Sequence, residues 1–567
     1  MMCGEPEVVG YLVRISLQLN VGGGQLGRPI PTAIFARRNQ GGTAVQYLKN
    51  VVNKKQTPQS EPIPDSGQVP NSAGGHTWAV DDWTRLERFL VLGSEGGSYY
   101  ARERKLTDEN IDSVKRCINN DGERTVRTVV AISEGGRAPK NDPALFVLAV
   151  CASAADERTR GLALDALPKV ARIGTHLFHF VEFVDKMRGW GPALKKAVAG
   201  WYLDKEPYRL AYQVVKYQQR DGWSHRDLLR LCHAEPKEGH EGILRWVVKG
   251  EVTESAGKLI QAFEEAKTAD EKRTIELIGD HSLTHEMIKT EHLKSPKVWE
   301  ALLEGMPMTA MVRSLGRMGS VGLLKPMSEG SKTVCERLGD LSLLHKSRIH
   351  PIQVLMALLT YRSGKGVRGD LSWDVVPQIS DALDRAFYST FQNIDPSGKK
   401  FYLGLDVSGS MSWGNVAGSS LTPRVGAAAM AMVTARTESL YYMAGFTSEM
   451  VKLDITAQDS LQQVVCKTDN LPFGTTDCAQ PMLDALKKGI LVDVFVIYTD
   501  NETWCGDIHP SQALQMYRNK IGIPAKLIVV GMISNGFSIA DPNDPWMMDV
   551  VGFDTNTPAV ISDFATH

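Results

Sequence analysis

The sequence has few cysteines, almost no net charge and no long apolar run. Its eight cysteines are scattered over 567 residues without a C-x-x-C pair, which excludes a disulfide framework and a zinc finger. The 64 basic and 65 acidic residues leave a formal charge of −1, so any nucleic-acid site must be a local patch. No run approaches the about 18 apolar residues that span a bilayer, and no secretory signal pattern is present. We therefore expect a cytoplasmic protein without membrane contact.

Motifs of the common hydrolases and nucleotide-binding proteins are also missing. There is no G-x-x-x-x-G-K-[ST] loop for phosphates. Asp406 opens D-V-S, not the D-x-D of haloacid-dehalogenase phosphatases, and it also stands where a nucleophile elbow around Ser408 would need glycine. His281 and His285 have the spacing of H-E-x-x-H, but Ser282 replaces its glutamate. We find no catalytic constellation and expect no enzymatic activity.

Composition and periodicity divide the chain into three regions. Residues 1–76 are rich in Gly, Pro, Ser and Gln, which predicts a poorly ordered extension ending in a linker or extended arm over 52–76, with a possible strand at Tyr11–Leu19. Over 77–395 apolar residues recur at helical spacing, and we find no strand-like alternation, which predicts an α-solenoid of short helices. Over 396–567 strands alternate with helices, which predicts a doubly wound α/β domain.

Oxygen-bearing side chains follow several strands of the predicted α/β domain. Asp406, Ser408 and Ser410 alternate along the turn after the first strand, and Asp500 follows a later one. The loop Gly474-Thr475-Thr476-Asp477 adds a further hydroxyl. Because the carboxyl ends of parallel strands share one edge of the sheet, these oxygens are expected to converge there. They suit a hard divalent cation, most simply Mg²⁺, with open positions that an acidic partner group could fill.

A basic segment covers residues 186–233. It contains ten Lys or Arg and four acidic residues, a net charge of +6 in 48 residues. Lys216 and Arg220 are spaced i,i+4 and are expected on one helix face, and Arg226 and Arg230 repeat that spacing on the next helix. Two such helices would form a phosphate-contacting surface. The other candidate contacts are Lys195, Lys196, His225 and His233.

Aromatic side chains are interleaved with these cations and could stack on unpaired bases. They are Trp201, Tyr202, Tyr217 and Trp223. The alternative is a solvated helix face whose cations only keep the protein soluble, and charge alone does not decide between the two.

Several segments resemble the TROVE module, named for telomerase, Ro and vault proteins, followed by a von Willebrand factor A domain. They are Trp83–Tyr100, Trp223–Arg230, Arg348–Pro351, Lys400–Asp406, Thr499–Thr503 and Pro524–Ile528. They occur in order over residues 77–567, so the chain is similar to the Ro autoantigen family, which includes bacterial members. The resemblance implies an α plus α/β fold, with a ring of HEAT-like helical repeats closed by the A domain, and we expect a monomer.

The resemblance also implies that the oxygen cluster is the metal-ion-dependent adhesion site of the A domain. Where the family has Gly-Gly-Thr, this chain has Gly474-Thr475-Thr476, and we assign the ligand to Thr476, with Thr475 as the alternative. The expected ligands are Asp406, Ser408, Ser410, Thr476 and Asp500.

For function, the resemblance implies RNA quality control. Family members bind Y RNA on the outer surface of the ring and single-stranded 3′ ends of misfolded non-coding RNA in its hole, and bacterial members can tether an exoribonuclease through a Y RNA. The family's outer RNA contacts correspond here to Lys216, Arg220 and His233, while Gln218 replaces a basic residue common in the family.

Two alternatives remain open. A protein-interaction adaptor would use the metal site to bind a carboxylate of its partner and would not bind RNA. An undetected nuclease or phosphotransferase would use the same metal site and would lose its activity in Asp406→Ala.

Overall fold

The computed structural model describes residues 56–95, 97–99, 101–367, 369–391, 394–469, 471 and 474–567. The possible strand at Tyr11–Leu19 and the rest of the extension up to residue 55 lie outside the described residues. The described residues divide into two compact units, one formed by those before Lys115 together with those after Phe391, the other by Lys115–Phe391. Among the described residues, no helix is both long and apolar enough to cross a membrane.

The unit Lys115–Phe391 is a series of short helices, as predicted. Many helices begin with a proline in the first turn or with an aspartate cap, such as Asp156, which accepts from the backbone N–H of Thr159. The helices are α2 (Glu103–Gly135, which begins in the other unit), α3 (Asp142–Ala152), α4 (Glu157–Asp165), α5 (Leu167–Val170), α6 (Gly174–Met187), α7 (Pro192–Leu203), α8 (Pro207–Lys216), α9 (His225–Cys232), α10 (Glu241–Lys249), α11 (Lys258–Ala266), α12 (Glu271–His281), α13 (Pro296–Gly305), α14 (Met308–Ser320), α15 (Glu329–Gly339), α16 (Leu341–Ser347), α17 (Pro351–Arg362) and α18 (Pro377–Ser389).

Polar contacts join the beginning of this helical unit to its end. Arg348 donates to the carbonyl of Glu134 at 2.7 Å, and Gln353 donates to that of Pro139 at 3.2 Å. The buried ring of His350 lies 3.2 Å from the carbonyl of Arg137. Residues more than 200 positions apart are therefore held together within one unit.

The other unit contains a six-stranded sheet, whose strands are, in spatial order, β11 (Met547–Val551), β9 (Lys526–Gly531), β8 (Val494–Thr499), β5 (Lys400–Asp406), β6 (Leu440–Phe446) and β7 (Met450–Val451). The sheet is parallel except for its edge strand β7. Helices accompany the sheet, and apolar residues of both form the core, including Tyr402, Phe446, Phe495 and Leu514. This confirms the predicted α plus α/β class. The helices are α19 (Pro423–Thr437), α20 (Leu461–Asp469), α21 (Gln480–Lys488), α22 (Pro510–Ile521) and α23 (Thr557–Thr566).

Residues 56–80 are part of this α/β unit, which corrects the linker alternative predicted for 52–76 within the described residues. Strands β1 (Val69–Pro70) and β2 (His76–Ala79) form an antiparallel sheet with β10 (Phe537–Ser538). Gln59 is fully buried and donates to Asp477 at 2.6 Å and to the carbonyl of Ile508 at 2.8 Å. The segment therefore contributes to the core of the unit.

Helix α1 (Asp82–Val91) also belongs to this unit and carries a buried cation. Arg88 is 0% exposed and forms an ion pair with Asp549 of β11. The same guanidinium donates to the carbonyl of Phe537 at 2.7 Å and to that of Asn535 at 3.2 Å. The helical sequence after residue 77, which we predicted to begin the solenoid, thus starts within the α/β unit.

Candidate nucleic-acid interface and metal centre

Helix α9 presents two cations to solvent. Its amino end is fixed by a capping box, in which Ser224 accepts from the N–H of Asp227 while the Asp227 carboxylate accepts from the N–H of Ser224. One face carries the buried Leu228 and Leu229, and the opposite face leaves Arg226 and Arg230 exposed. Neither arginine forms an ion pair with a described residue, so both charges are available to a ligand.

Arg220 lies on a β-hairpin and not on the helix of Lys216, which corrects the predicted shared helix face. Helix α8 ends at Lys216, and Arg220 belongs to β3 (Gln219–Arg220), which pairs with β4 (Trp223–Ser224). The two turn residues Asp221 and Gly222 have φ values of 54° and 80°. Asp-Gly with two positive φ angles is typical of a two-residue hairpin turn, and this signal was present in the sequence.

Lys216 is less accessible than its position in the basic segment suggested. Its side chain is 9% exposed, and its ammonium lies 3.4 Å from Glu286 and 3.2 Å from the hydroxyl of Tyr212. Arg220, by contrast, keeps half of its side chain exposed, and His233 is exposed at the left-handed residue after α9. Arg220 and His233 are therefore better placed than Lys216 for direct phosphate contact.

His225 is in the core and is removed from the predicted RNA contacts. It is 2% exposed, its Nδ1 lies 2.8 Å from the hydroxyl of Tyr202, and burial lowers its pKa to about 3. Trp201 and Tyr202 are buried as well, so neither forms a stacking platform for bases. The spacing of His225 to Leu228, Leu229 and Cys232, which is that of one helix face, was the available signal.

Burial of neutral His225 predicts a loss of stability in acid. The unfolded histidine binds a proton below about pH 6.5 while the folded one resists it down to a pKa of about 3, so stability is lost as pH falls between these values. The free energy of unfolding should fall with decreasing pH in both proteins between pH 6 and 4.5, but the fall per pH unit should be smaller in His225→Phe than in wild type, by about 1.4 kcal/mol. Tyr202→Phe, which keeps the histidine, should retain the wild-type slope. Denaturant titrations across this pH range would measure both, and equal slopes in wild type and His225→Phe would contradict the assignment.

The remaining predicted contacts lie on α7. Lys196 is exposed and Lys195 half-buried, and α7 packs against α9. We call the exposed basic side chains among the predicted RNA contacts the basic surface, consisting of Lys196, Arg220, Arg226, Arg230 and His233. Such a surface can bind phosphates without reading base sequence.

The predicted metal ligands lie at the carboxyl ends of the central strands of the α/β unit. Asp406 ends β5, and Asp500 directly follows β8, the neighbouring strand. Ser408 and Ser410 have their hydroxyl oxygens 3.1 Å apart. A backbone hydrogen bond of 3.1 Å from Gly409 to Gly474 joins the first loop to the threonine loop.

Buried carboxylates give this cluster the electrostatics of a cation site. Asp406 and Asp500 are 0% and 2% exposed. Burial, and then the charges of Asp406 and Glu502, raise the pKa of Asp500 well above its ordinary value, and burial also raises the pKa of Asp406. Among the described residues, no group of three or more His, Cys, Asp or Glu is arranged to hold a metal ion. A cation at this site would therefore have two carboxylate ligands, and its other protein ligands would be hydroxyls. Two carboxylates with serine and threonine oxygens fit a hard cation such as Mg²⁺.

The two threonines of the second loop differ in their surroundings. Thr476 is 1% exposed, whereas Thr475 is exposed and its side chain hydrogen-bonds the thiol of Cys505. Thr476 is therefore the buried threonine of this loop, and its assignment as the ligand stays a prediction.

Comparisons with known proteins agree with this architecture. The family model of the TROVE domain matches residues 69–360, and that of the Ro60 vWA domain matches residues 400–565. The RNA-binding protein RO60 of Deinococcus radiodurans is 41% identical over 529 residues, covering 92% of this chain and 99% of the relative. The RNA-binding protein RO60 of Caenorhabditis elegans is 34% identical over 591 residues, covering 90% of this chain and 91% of the relative.

A solved structure is similar as well. The crystal structure of the Deinococcus radiodurans RO (RSR) protein aligns with a TM-score of 0.63 and 41% identity, over 80% of this chain and 93% of that one. The two domain matches follow each other in the order predicted from the sequence. The chain therefore belongs to the Ro60 family of TROVE and von Willebrand A domain proteins.

Proposed function

We propose that this protein is a cytoplasmic RNA-binding protein of non-coding RNA quality control. The basic surface would bind a structured Y RNA, and the hole of the ring implied by family membership would receive the single-stranded 3′ end of a misfolded RNA. The names of the two relatives, both RNA-binding proteins, support RNA as the ligand. A Y RNA bound in this way could tether an exoribonuclease, while the protein itself would contribute binding and no catalysis.

One observation carries the proposal. Arg226 and Arg230 project from the same face of α9, are exposed, and have no ion-pair partner among the described residues. Arg220 and His233 lie just before and just after this helix. Exposed arginines without counter-charges attract phosphates, because binding releases condensed cations from the RNA.

The proposal is tested by binding of one structured RNA, with and without a single-stranded 3′ tail of about 10 nucleotides, over a series of salt concentrations. We expect binding that weakens steeply with salt and is stronger for the tailed RNA. Absence of binding to either RNA at low salt would overturn the RNA function. Cleavage of the RNA that requires Mg²⁺ and disappears in Asp406→Ala would instead identify a nuclease.

We further propose that Asp406, Ser408, Ser410, Thr476 and Asp500 hold Mg²⁺, leaving a position for an acidic group of a protein ligand.

At a hundredfold excess over its Kd, the ion should stabilise the protein by about 2.7 kcal/mol in thermal unfolding. Asp406→Asn should abolish this stabilisation and also raise the unfolding temperature in EDTA, because it removes one of two mutually repelling buried carboxylates.

The threonine assignment has its own control in the same experiment. Thr476→Ala should lose most of the Mg²⁺-induced stabilisation, whereas Thr475→Ala should retain it, because the Thr475 side chain is exposed. The opposite result would identify Thr475 as the ligand. An unchanged response to Mg²⁺ in Asp406→Asn would show that the ion binds elsewhere.

A further inference from the structure

An open pocket of about 580 Å³ lies in the helical unit between α6, the β3–β4 hairpin and α9. Its lining includes Glu182 of α6, Asp221 and Trp223 of the hairpin, and Asp227 and Arg230 of α9. Arg230 also belongs to the basic surface, so the pocket adjoins the proposed phosphate contacts. The pocket is large enough for a nucleobase with its ribose.

The pocket contains a carboxylate that no cation neutralises. Of its three acidic side chains, Glu182 pairs with Lys186, and Asp221 contacts Arg220 and His179, whereas Asp227 has no ion-pair partner among the described residues. The charge of Asp227 repels a phosphate placed beside it, so the group that enters this pocket differs from the group that the surrounding arginines bind. A suitable occupant is uncharged, has N–H donors, and is attached to a phosphate chain that passes the basic surface.

Trp223 provides an oriented aromatic ring at this site. Its indole N–H donates to Glu182 at 2.8 Å, and its ring lies 5.9 Å from that of Trp190, measured between centroids. Glu182 is itself held by Lys186 at 2.9 Å. Trp223 is only half-buried, so part of its surface is accessible. An indole held in this way can stack on a base without first losing much rotational freedom.

Asp227 offers one carboxylate oxygen to a ligand. Its Oδ2 accepts from the N–H of Ser224 at 3.0 Å and from the hydroxyl of the same residue at 2.5 Å. No described residue donates a hydrogen bond to its Oδ1. The capping box thus fixes the carboxylate and leaves an acceptor for which an exocyclic amino group is a suitable donor.

We propose that this pocket receives one unpaired RNA base bearing an exocyclic amino group, stacked on Trp223 and donating to Oδ1 of Asp227. Adenine, cytosine and guanine meet this requirement. Uracil does not, because its ring N–H is flanked by two carbonyl oxygens that the carboxylates repel. The inference rests on the proposed RNA function and adds to it a discrimination against uridine. A cationic side chain of a protein would also suit the carboxylates, but the adjoining arginines would repel it.

The test is fluorescence anisotropy with labelled RNA decamers of A, C and U, which carry equal charge, at one low salt concentration. Wild type should bind the A and C decamers about tenfold more tightly than U, as expected for a hydrogen bond to a charged acceptor. In Asp227→Asn, the amide oxygen must face the N–H of Ser224, so the NH₂ group takes the position of Oδ1. An N–H donor there favours the uracil carbonyl, and the preference should reverse towards U.

Asp204→Asn is the matched control. Asp204 lies in the same basic segment, is exposed and pairs with Lys237. Its substitution makes the same change of charge outside the pocket, so the preference for A and C should remain. Trp223→Leu should weaken the binding of all three decamers. Equal binding of the three by wild type, or the same shift in Asp227→Asn and Asp204→Asn, would overturn the base pocket while leaving RNA binding in place.

Two other outcomes are distinguishable. Binding of no decamer, and of no structured RNA, at low salt would refute the proposed function itself. A labelled lysine-rich peptide provides the second outcome. If this peptide binds wild type, is displaced by its unlabelled form, and does not bind Asp227→Asn, while wild type shows no preference among the decamers, the pocket binds a protein side chain and the inference is overturned.

Discussion

The triple variant Arg220→Ala, Arg226→Ala, Arg230→Ala is expected to bind a structured RNA about 100-fold more weakly than wild type at low salt. Each arginine is exposed, and each is positioned by the backbone of the hairpin or of α9 and not by a mobile loop. Removing three phosphate contacts should also lower the slope of log K against log salt by about three, because fewer cations are released on binding. Anisotropy titrations at several salt concentrations would measure both quantities.

A control with the same loss of charge separates local contacts from the general field of the protein. Lys258, Lys272 and Lys297 are exposed on α11, α12 and α13 of the same unit. Their combined replacement by alanine should change the affinity only a few-fold and leave the slope within about one of wild type. Equal losses in the two triple variants would show that RNA senses only net charge. The basic surface would then not be the binding site.

Asp549→Ala should destabilise the α/β unit by about 3–5 kcal/mol, because it leaves the guanidinium of Arg88 buried without its counter-ion. It also removes the acceptor of the Ser538 hydroxyl, which donates to Asp549 at 2.6 Å. For a unit of this size the unfolding temperature should fall by roughly 10 °C. Calorimetry of the full chain would follow the transition of this unit.

The double variant Arg88→Met, Asp549→Leu tests the cause of this loss. Removing both charges together leaves no unpaired buried ion, so the double variant should recover at least half of the stability lost in Asp549→Ala. Asp563→Ala is the control within the same unit, since Asp563 and its partner His567 are both exposed, and it should behave nearly as wild type. A double variant as unstable as Asp549→Ala would place the effect in lost packing and not in the unpaired charge.

The sequence alone predicted the elements whose signals are local. The apolar run ending in Asp406 is strand β5, and the alternation that follows it gives the parallel part of the sheet. The hairpin around Asp221 was also local, because Asp-Gly between short extended pairs is a strong turn signal, but the prediction of a continuous basic helix overlooked it. His225 was predicted to contact RNA because it is a basic residue, although its spacing to the neighbouring leucines indicated a buried position.

Other features could not be predicted because their partners are distant in sequence. Gln59 stands in a stretch whose composition is typical of a linker, yet it is buried by Asp477 and Ile508, more than 400 residues away. Arg88 looks like a solvated helix position until Asp549, 461 residues later, is placed against it. The assignment of Thr476 over Thr475 likewise depends on which hydroxyl the folded loop buries, and the Mg²⁺ experiment addresses it.

The discontinuity of the α/β unit constrains the order in which a ribosome can complete this protein. Gln59 and Arg88 leave the ribosome about 340 and 310 residues before β5 does, so neither side chain has its native partners while the helical unit is being made. Lys115–Phe391 is continuous and can fold during this interval, whereas the α/β unit must wait for the last strand. Expression of residues 396–567 alone would omit part of that unit, leaving Asp549 without its cation and Asp477 without Gln59.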